Sequence, residues 1–237
     1  MEILIVALLI AFQSVFGIGL LIFGTPIFLL IDYSFVETLN ILLPISITIS
    51  LLQFFLSQKK NLNFIKEFNY FSLPFLAISL SIILLIHNKI NFEIIVATII
   101  LLSSFLSLKK HRFSFFKKIT KLKKILILIT IGFIHGTTNM GGTLLSIYST
   151  IINNEKSDIR SCISYGYLIM GVIQLAILFL FEYSKLSINK FYYILLIIPI
   201  YYPMQKVFSK FKNYKYSKIL NIFALIYSLI IFLKYFS

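Results

Sequence analysis

Gly132-Phe133-Ile134-His135-Gly136-Thr137-Thr138-Asn139-Met140-Gly141-Gly142-Thr143 lies inside an apolar run that extends from Ile125 to Ile152. The flanks have the composition of a membrane helix, yet this stretch holds four glycines, three threonines, an asparagine and a histidine. Gly costs about 1 kcal/mol relative to Ala in a helix interior, and Asn readily takes the left-handed conformation at a helix end. The run is therefore read as two half-helices separated by a break. Backbone N–H and C=O groups freed by a break cannot face lipid, so they must line protein or a water-filled cavity. That makes the break a candidate binding site. The competing reading is a small-residue seam, Gly136 to Gly141, that only packs helices.

Working outward, apolar runs fall at about Ile3–Ile31, Val36–Leu56, Phe71–Ile86, Ile94–Leu108, Ile125–Ile152, Ile159–Phe181, Phe191–Phe208 and Ile219–Phe236. A crossing needs about 20 residues, which suits six of them and leaves the first and fifth too long. The first is interrupted at Gly17-Ile18-Gly19, as the fifth is at Asn139-Met140-Gly141-Gly142. An interrupted run either crosses or turns back, and the loop charges distinguish the two. If all eight runs cross, the two sides carry +11 and +3; if the first and fifth are hairpins, they carry +15 and −1. The second partition separates the bases far better, and the positive-inside rule then puts the +15 side in the cytoplasm and both termini outside.

Two hairpins, each followed by three crossings, make the second half inverted relative to the first, a recurring transporter plan. The fold expected is all-α and integral to the cell membrane, multi-pass, with a first repeat over 1–108, a basic cytoplasmic linker over 109–124 and a second repeat over 125–237. The layout repeats more than the residues do: a broken run, a short loop, then a long span with a glutamine near its end, Gln53 or Gln174. The linker carries eight bases and no acid between Lys109 and Lys124. With its interleaved Phe and Ile it suits contact with anionic lipid headgroups.

Composition excludes several functions. The chain of 237 residues is 59% hydrophobic with a mean hydropathy of +0.96, well above the apolar share of soluble domains. The net charge of +14 sits in gaps between apolar runs, which argues against nucleic acid as a partner. The single cysteine, Cys162, excludes an internal disulfide, and no metal-ligand spacing or cofactor motif is present. Glu2 stands where a signal peptide carries a base, so the first run is expected in the mature protein.

With both breaks in view, the chain resembles the TauE/SafE sulfite-exporter family, also described as toluenesulfonate-uptake permeases. Gly17-Ile18-Gly19 followed by Gly24-Thr25-Pro26-Ile27-Phe28-Leu29-Leu30 is similar to that family's glycine stretch leading into a Pro-Leu-Leu segment. Gly132-Phe133-Ile134-His135-Gly136 with Gly141-Gly142 resembles its Gly-Phe-x-x-Gly and Gly-Gly-Pro signature, with Thr143 and Leu144 where prolines are frequent and Asn139 at a usual glycine. Lys156-Ser157-Asp158-Ile159-Arg160-Ser161 looks like the basic pair after the second hairpin. The resemblance implies permeation of sulfite, sulfonates or related small sulfur or organic anions.

The chemistry of the breaks fits an anion. A half-helix beginning near Gly19 or near Gly141 directs unpaired N–H groups and the positive end of its dipole inward, an anion site without a basic side chain. Gly17, Gly19, Gly141 and Gly142 let the anion approach the backbone, while Gln13, Ser14, Thr25, Thr137, Thr138, Asn139 and Thr143 offer hydrogen bonds and His135 a titratable group. Every Asp and Glu falls in a loop or at the end of a run, which argues against a cation carrier and against an enzyme. The remaining reading is a non-transporting membrane scaffold or subunit whose glycines serve packing. The charge partition yields a direct prediction: in a Cys162-free background, single cysteines at Ser34 and Ser187 label from outside and those at Lys60 and Asn154 only from inside. Labelling of position 154 from outside would mean that the broken runs cross.

Overall fold

The computed structural model describes residues 2–86, 120–186 and 188–212, together with Tyr216 and Ile219. All regular structure among these residues is helical. The helices are α1 (Glu2–Phe16), α2 (Leu20–Leu30), α3 (Phe35–Phe55), α4 (Leu62–Phe71), α5 (Leu73–Ile86), α6 (Lys121–Thr138), α7 (Gly142–Ile152), α8 (Lys156–Phe181) and α9 (Ile197–Lys210), the last preceded by a 3₁₀ helix at Ile188–Leu196. The fourth run, most of the basic linker and the eighth run beyond Ile219 lie outside the described residues, and with them the comparison of the two repeats.

Three stretches, Phe35–Phe55, Leu62–Ile86 and Lys156–Phe181, have 21, 25 and 26 residues and are long and apolar enough to cross a membrane. The start of α3 is set by a capping box in which Ser34 Oγ accepts from Glu37 N while Glu37 Oε2 accepts from Ser34 N. Asn61 caps α4 with a single bond, its side chain accepting from Phe64 N at 3.0 Å. The span containing α4 and α5 begins earlier than the run expected from Phe71. Lys66 and Glu67 are helical, because Phe64 and Phe68 supply a buried stripe on the opposite side. Lys121, Lys123 and Lys124, taken with the linker in the sequence, form the first turn of α6 behind the Thr120 cap.

The centre of the molecule is the antiparallel pair α3 and α8. Ser57 Oγ lies 2.9 Å from Ser161 Oγ at one end, and near the middle a methyl on Gly171 would stand 2.8 Å from Ile47 Cγ1. Helix α6 runs parallel to α5 at very short range. A methyl on Gly132 would stand 2.0 Å from the Ser72 carbonyl oxygen, and one on Gly136 would stand 2.5 Å from that of Leu76. These two glycines of the opening stretch therefore serve close helix packing.

Both broken runs divide where the sequence indicates, and the ends of each meet. Tyr33, just beyond α2, donates to the Glu2 carboxylate at 2.8 Å, and Lys190 pairs with the same carboxylate at 2.9 Å. The parallel course of α5 and α6 sets the start of α6 beside α4, and Tyr148 on α7 brings that helix back to α4, with its ring 6.1 Å from Phe64. Just beyond α7, Lys156 Nζ donates to the carbonyls of Phe208 and Ser209, both at 3.0 Å, and to that of Phe211, closing the last turn of α9. The packing role of Gly132 predicts that Gly132→Ala pushes α5 and α6 apart at a cost of about 1–3 kcal/mol, seen as a lower melting midpoint in detergent. An unchanged midpoint would mean that the two helices separate freely.

Candidate functional site

The first break is made by two glycines in conformations closed to most L-residues, Gly17 at φ 76° and Gly19 at φ 127°. The turn frees the last carbonyls of α1, and long polar side chains from neighbouring helices take them up. Gln53 Nε2 donates to Gln13 O at 2.8 Å and to Ser14 O at 3.0 Å. Gln205 Nε2 donates to Ser14 O at 3.1 Å, and Tyr216 Oη donates to Phe16 O. Gln13 itself is tied to α3, its Nε2 donating to Ser46 Oγ and Ser50 Oγ, both at 3.1 Å.

The second break turns on Asn139, which is left-handed at φ 62° and closes α6 by donating its N–H to His135 O at 2.8 Å. Its side chain reaches out of its own run: Asn139 Nδ2 donates to Thr25 Oγ1 at 2.8 Å, fastening the second break to the middle of α2. His135 Nε2 lies 3.1 Å from Gln174 Oε1, and Gln174 Nε2 donates to His135 O at 3.5 Å. That amide orientation makes Nε2 the protonated nitrogen, so the neutral ring presents Nδ1 as an acceptor. His135 therefore contributes to an anion site only as the imidazolium.

The two breaks share an asymmetry. Their carbonyl ends are capped as above, whereas neither α2 nor α7 has a side-chain hydrogen bond at its N-terminal cap. Buried polar atoms without a partner gather nearby: Ser14 Oγ and Gln53 Oε1 at the first break, and His135 Nδ1, Asn139 Oδ1 and Tyr167 Oη at the second. Each such atom carries a desolvation cost of about 1–3 kcal/mol. At the second break the glycines differ in what surrounds them. A methyl on Gly142 would stand 1.6 Å from Tyr167 Oη, while one on Gly141 would press on His135 Cβ at 2.7 Å and on the Ile131 carbonyl.

The residues singled out in the sequence thus form two groups. Gln13, Ser14, Gly17 and Gly19 surround the first break; His135, Asn139, Gly141 and Gly142 surround the second, with Thr25 linking them. Thr137 and Thr138 are occupied locally, their hydroxyls donating to carbonyls one turn back at 3.0 Å and 2.7 Å. Thr143 is buried in the first turn of α7. The two breaks meet α8 at different levels, Gly17 against Arg160 and Ile163 and Gly142 against Tyr167. Along α8 that separation is four to seven residues, about 6–10 Å at the helical rise. Sequence reading missed Tyr167 and Gln205, and took Arg160 only as one of the basic pair after the second hairpin. A signal existed: Arg160, Tyr167 and Gln174 recur every seven residues, hence on one face of α8.

The family model of the sulfite exporter TauE/SafE family matches residues 3–234. The chain belongs to this family. No curated protein and no solved structure matches it. TauE/SafE proteins are membrane transporters and not enzymes, so this chain is a multi-pass membrane protein that handles a small substrate. The matched segment takes in both breaks and the whole of α8. The link between breaks is open to test. Thr25→Val removes the acceptor of Asn139 Nδ2 without changing shape, and should cost about 1–3 kcal/mol and lower the melting midpoint, while Thr25→Ser keeps it. Equal midpoints for Val and Ser would show that the contact is dispensable.

Proposed function

We propose that this TauE/SafE protein is a permease of the cytoplasmic membrane that moves a small anion, sulfite, a sulfonate or a related sulfur or organic anion, past its two helix breaks. The carrying observation is the pair of uncapped half-helix starts: the N-terminal turns of α2 and α7 are left without side-chain caps, while at the first break Gln53 and Gln205 take up the carbonyls that end α1. Uncapped N–H groups at the positive end of a helix dipole attract anions and disfavour cations. No described acid lies near either break to hold a coupling cation.

Both broken runs enter the membrane as re-entrant hairpins from opposite faces. The reading is supported by the meeting of their ends, Glu2 with Tyr33 in one and the two flanks beside α4 in the other. It is supported too by the positions of the breaks near opposite ends of α8, Gly17 beside Arg160 and His135 beside Gln174. Each hairpin therefore reaches beyond the midplane, and the anion passes from one N-terminal turn to the next along α8. The basic linker over 109–124 lies against anionic headgroups on the cytoplasmic side.

Flux of sulfite and methanesulfonate into liposomes carrying the purified protein tests this function. Gly142→Ala puts a methyl against the buried Tyr167 Oη and should abolish flux in protein that still inserts and elutes as a single species. Undiminished flux in that variant would remove the second break from the path.

A further inference from the structure

We infer that Arg160 is the charged group that recognises the anion at the first break, which adds to the permease reading and rests on it. Arg160 lies in the second turn of α8 with its Cγ 3.1 Å from the place a methyl on Gly17 would take, so the bare glycine admits the arginine stem. Its guanidinium is held from two sides. Cζ stands 3.5 Å from the centroid of the Phe208 ring, and Nη1 donates to Gln205 Oε1 at 2.8 Å. Gln205 is itself oriented, because its Nε2 donates to the carbonyls of Ser14 and Tyr201 and so turns its oxygen toward the arginine.

This restraint uses one of the five N–H donors of the fork. No carboxylate among the described residues lies within ion-pair distance of Arg160. A partly buried, uncompensated guanidinium is costly for a purely structural role, since a desolvated charge needs a partner. Buried polar atoms without partners surround the same corner. Gln53 Oε1, on a side chain 1% exposed, lies 3.7 Å from the Gly17 methyl position. Ser14 Oγ and Tyr201 Oη, the residues whose carbonyls anchor Gln205, are hydroxyls in the same condition. Beyond Gly19 the uncapped first turn of α2 begins.

The neighbouring base does different work. Lys156 is directed onto the terminal carbonyls of α9, whereas Arg160 keeps a planar fork. Such a fork matches two oxygens of a sulfite or sulfonate group in a bidentate pair, a geometry lysine does not reproduce. The ligand class is therefore an oxyanion with two or more equivalent oxygens.

The test measures saturable flux of sulfite and methanesulfonate in liposomes for the full chain and for R160K, R160Q and K156Q. R160K, which keeps the charge and loses the fork, should raise KM about tenfold. R160Q should abolish saturation. K156Q, which removes a neighbouring charge, should leave KM within about twofold while lowering the melting midpoint. Wild-type KM in R160K, or equal rises in R160Q and K156Q, would overturn the assignment and leave the permease reading intact. Absence of flux of either anion in the wild type would overturn both.

A second measurement needs no variant. Arg112 and Arg160 are the arginines of the chain, and methanesulfonate should slow phenylglyoxal modification of Arg160, read by peptide mass, without affecting Arg112. Equal rates with and without the anion would also overturn the assignment.

Discussion

The structure depends on one constraint: a helix broken inside a membrane must find partners for every backbone group it releases. At the end of α1 the partners are Gln53, Gln205 and Tyr216, drawn from segments far apart in the chain. At the end of α6 they are the left-handed Asn139 and Gln174. The carbonyls of Gln13, Ser14, Phe16 and His135 are taken up in this way, while the first turns of α2 and α7 have no side-chain cap. The positive end of a helix dipole is selective by sign before any ionic group is added. The anion preference of the proposed permease thus follows from which end of each helix the protein chose to cap.

Helix α8 organises the two breaks relative to one another. Its face carrying Arg160, Tyr167 and Gln174 meets the first break, the start of α7 and His135 in turn. Each step is seven residues, about 10.5 Å of rise, so three polar groups cover most of the hydrocarbon thickness. A single helix therefore sets the spacing of features contributed by both halves. The antiparallel α3 packs along the same helix through the Ser57–Ser161 contact and the close approach of Gly171 to Ile47.

The sequence made the architecture legible where chemistry is unambiguous. Gly17, Gly19, Asn139 and Gly141-Gly142 mark breaks because helix interiors tolerate them poorly, and the helices divide at those positions. The same residue type hides its other role: Gly132 and Gly136 belong to the same stretch yet meet α5 at distances that admit no side chain. Thr137 and Thr138 read as ligand donors, but a hydroxyl inside a helix finds a carbonyl one turn back. Arg160 shows in the sequence as one of a basic pair, but a loop-charge count treats every base between two runs as solvated. Only the packing of Gly17 and Phe208 against it shows where its head group is held. Lys66 and Glu67 lie outside the apolar runs yet are helical for a related reason, since two buried phenylalanines suffice to continue a helix past charged neighbours.

The contact of Glu2 with Lys190 joins residues 188 positions apart. At a synthesis rate of roughly 5–20 residues per second, about ten to forty seconds separate their emergence from the ribosome. Over that interval the first hairpin has Tyr33 as a local latch but lacks its cation, and Gln205 and Tyr216, which cap α1, are equally late. The earliest membrane segment to be made is therefore among the last to reach its final hydrogen bonding.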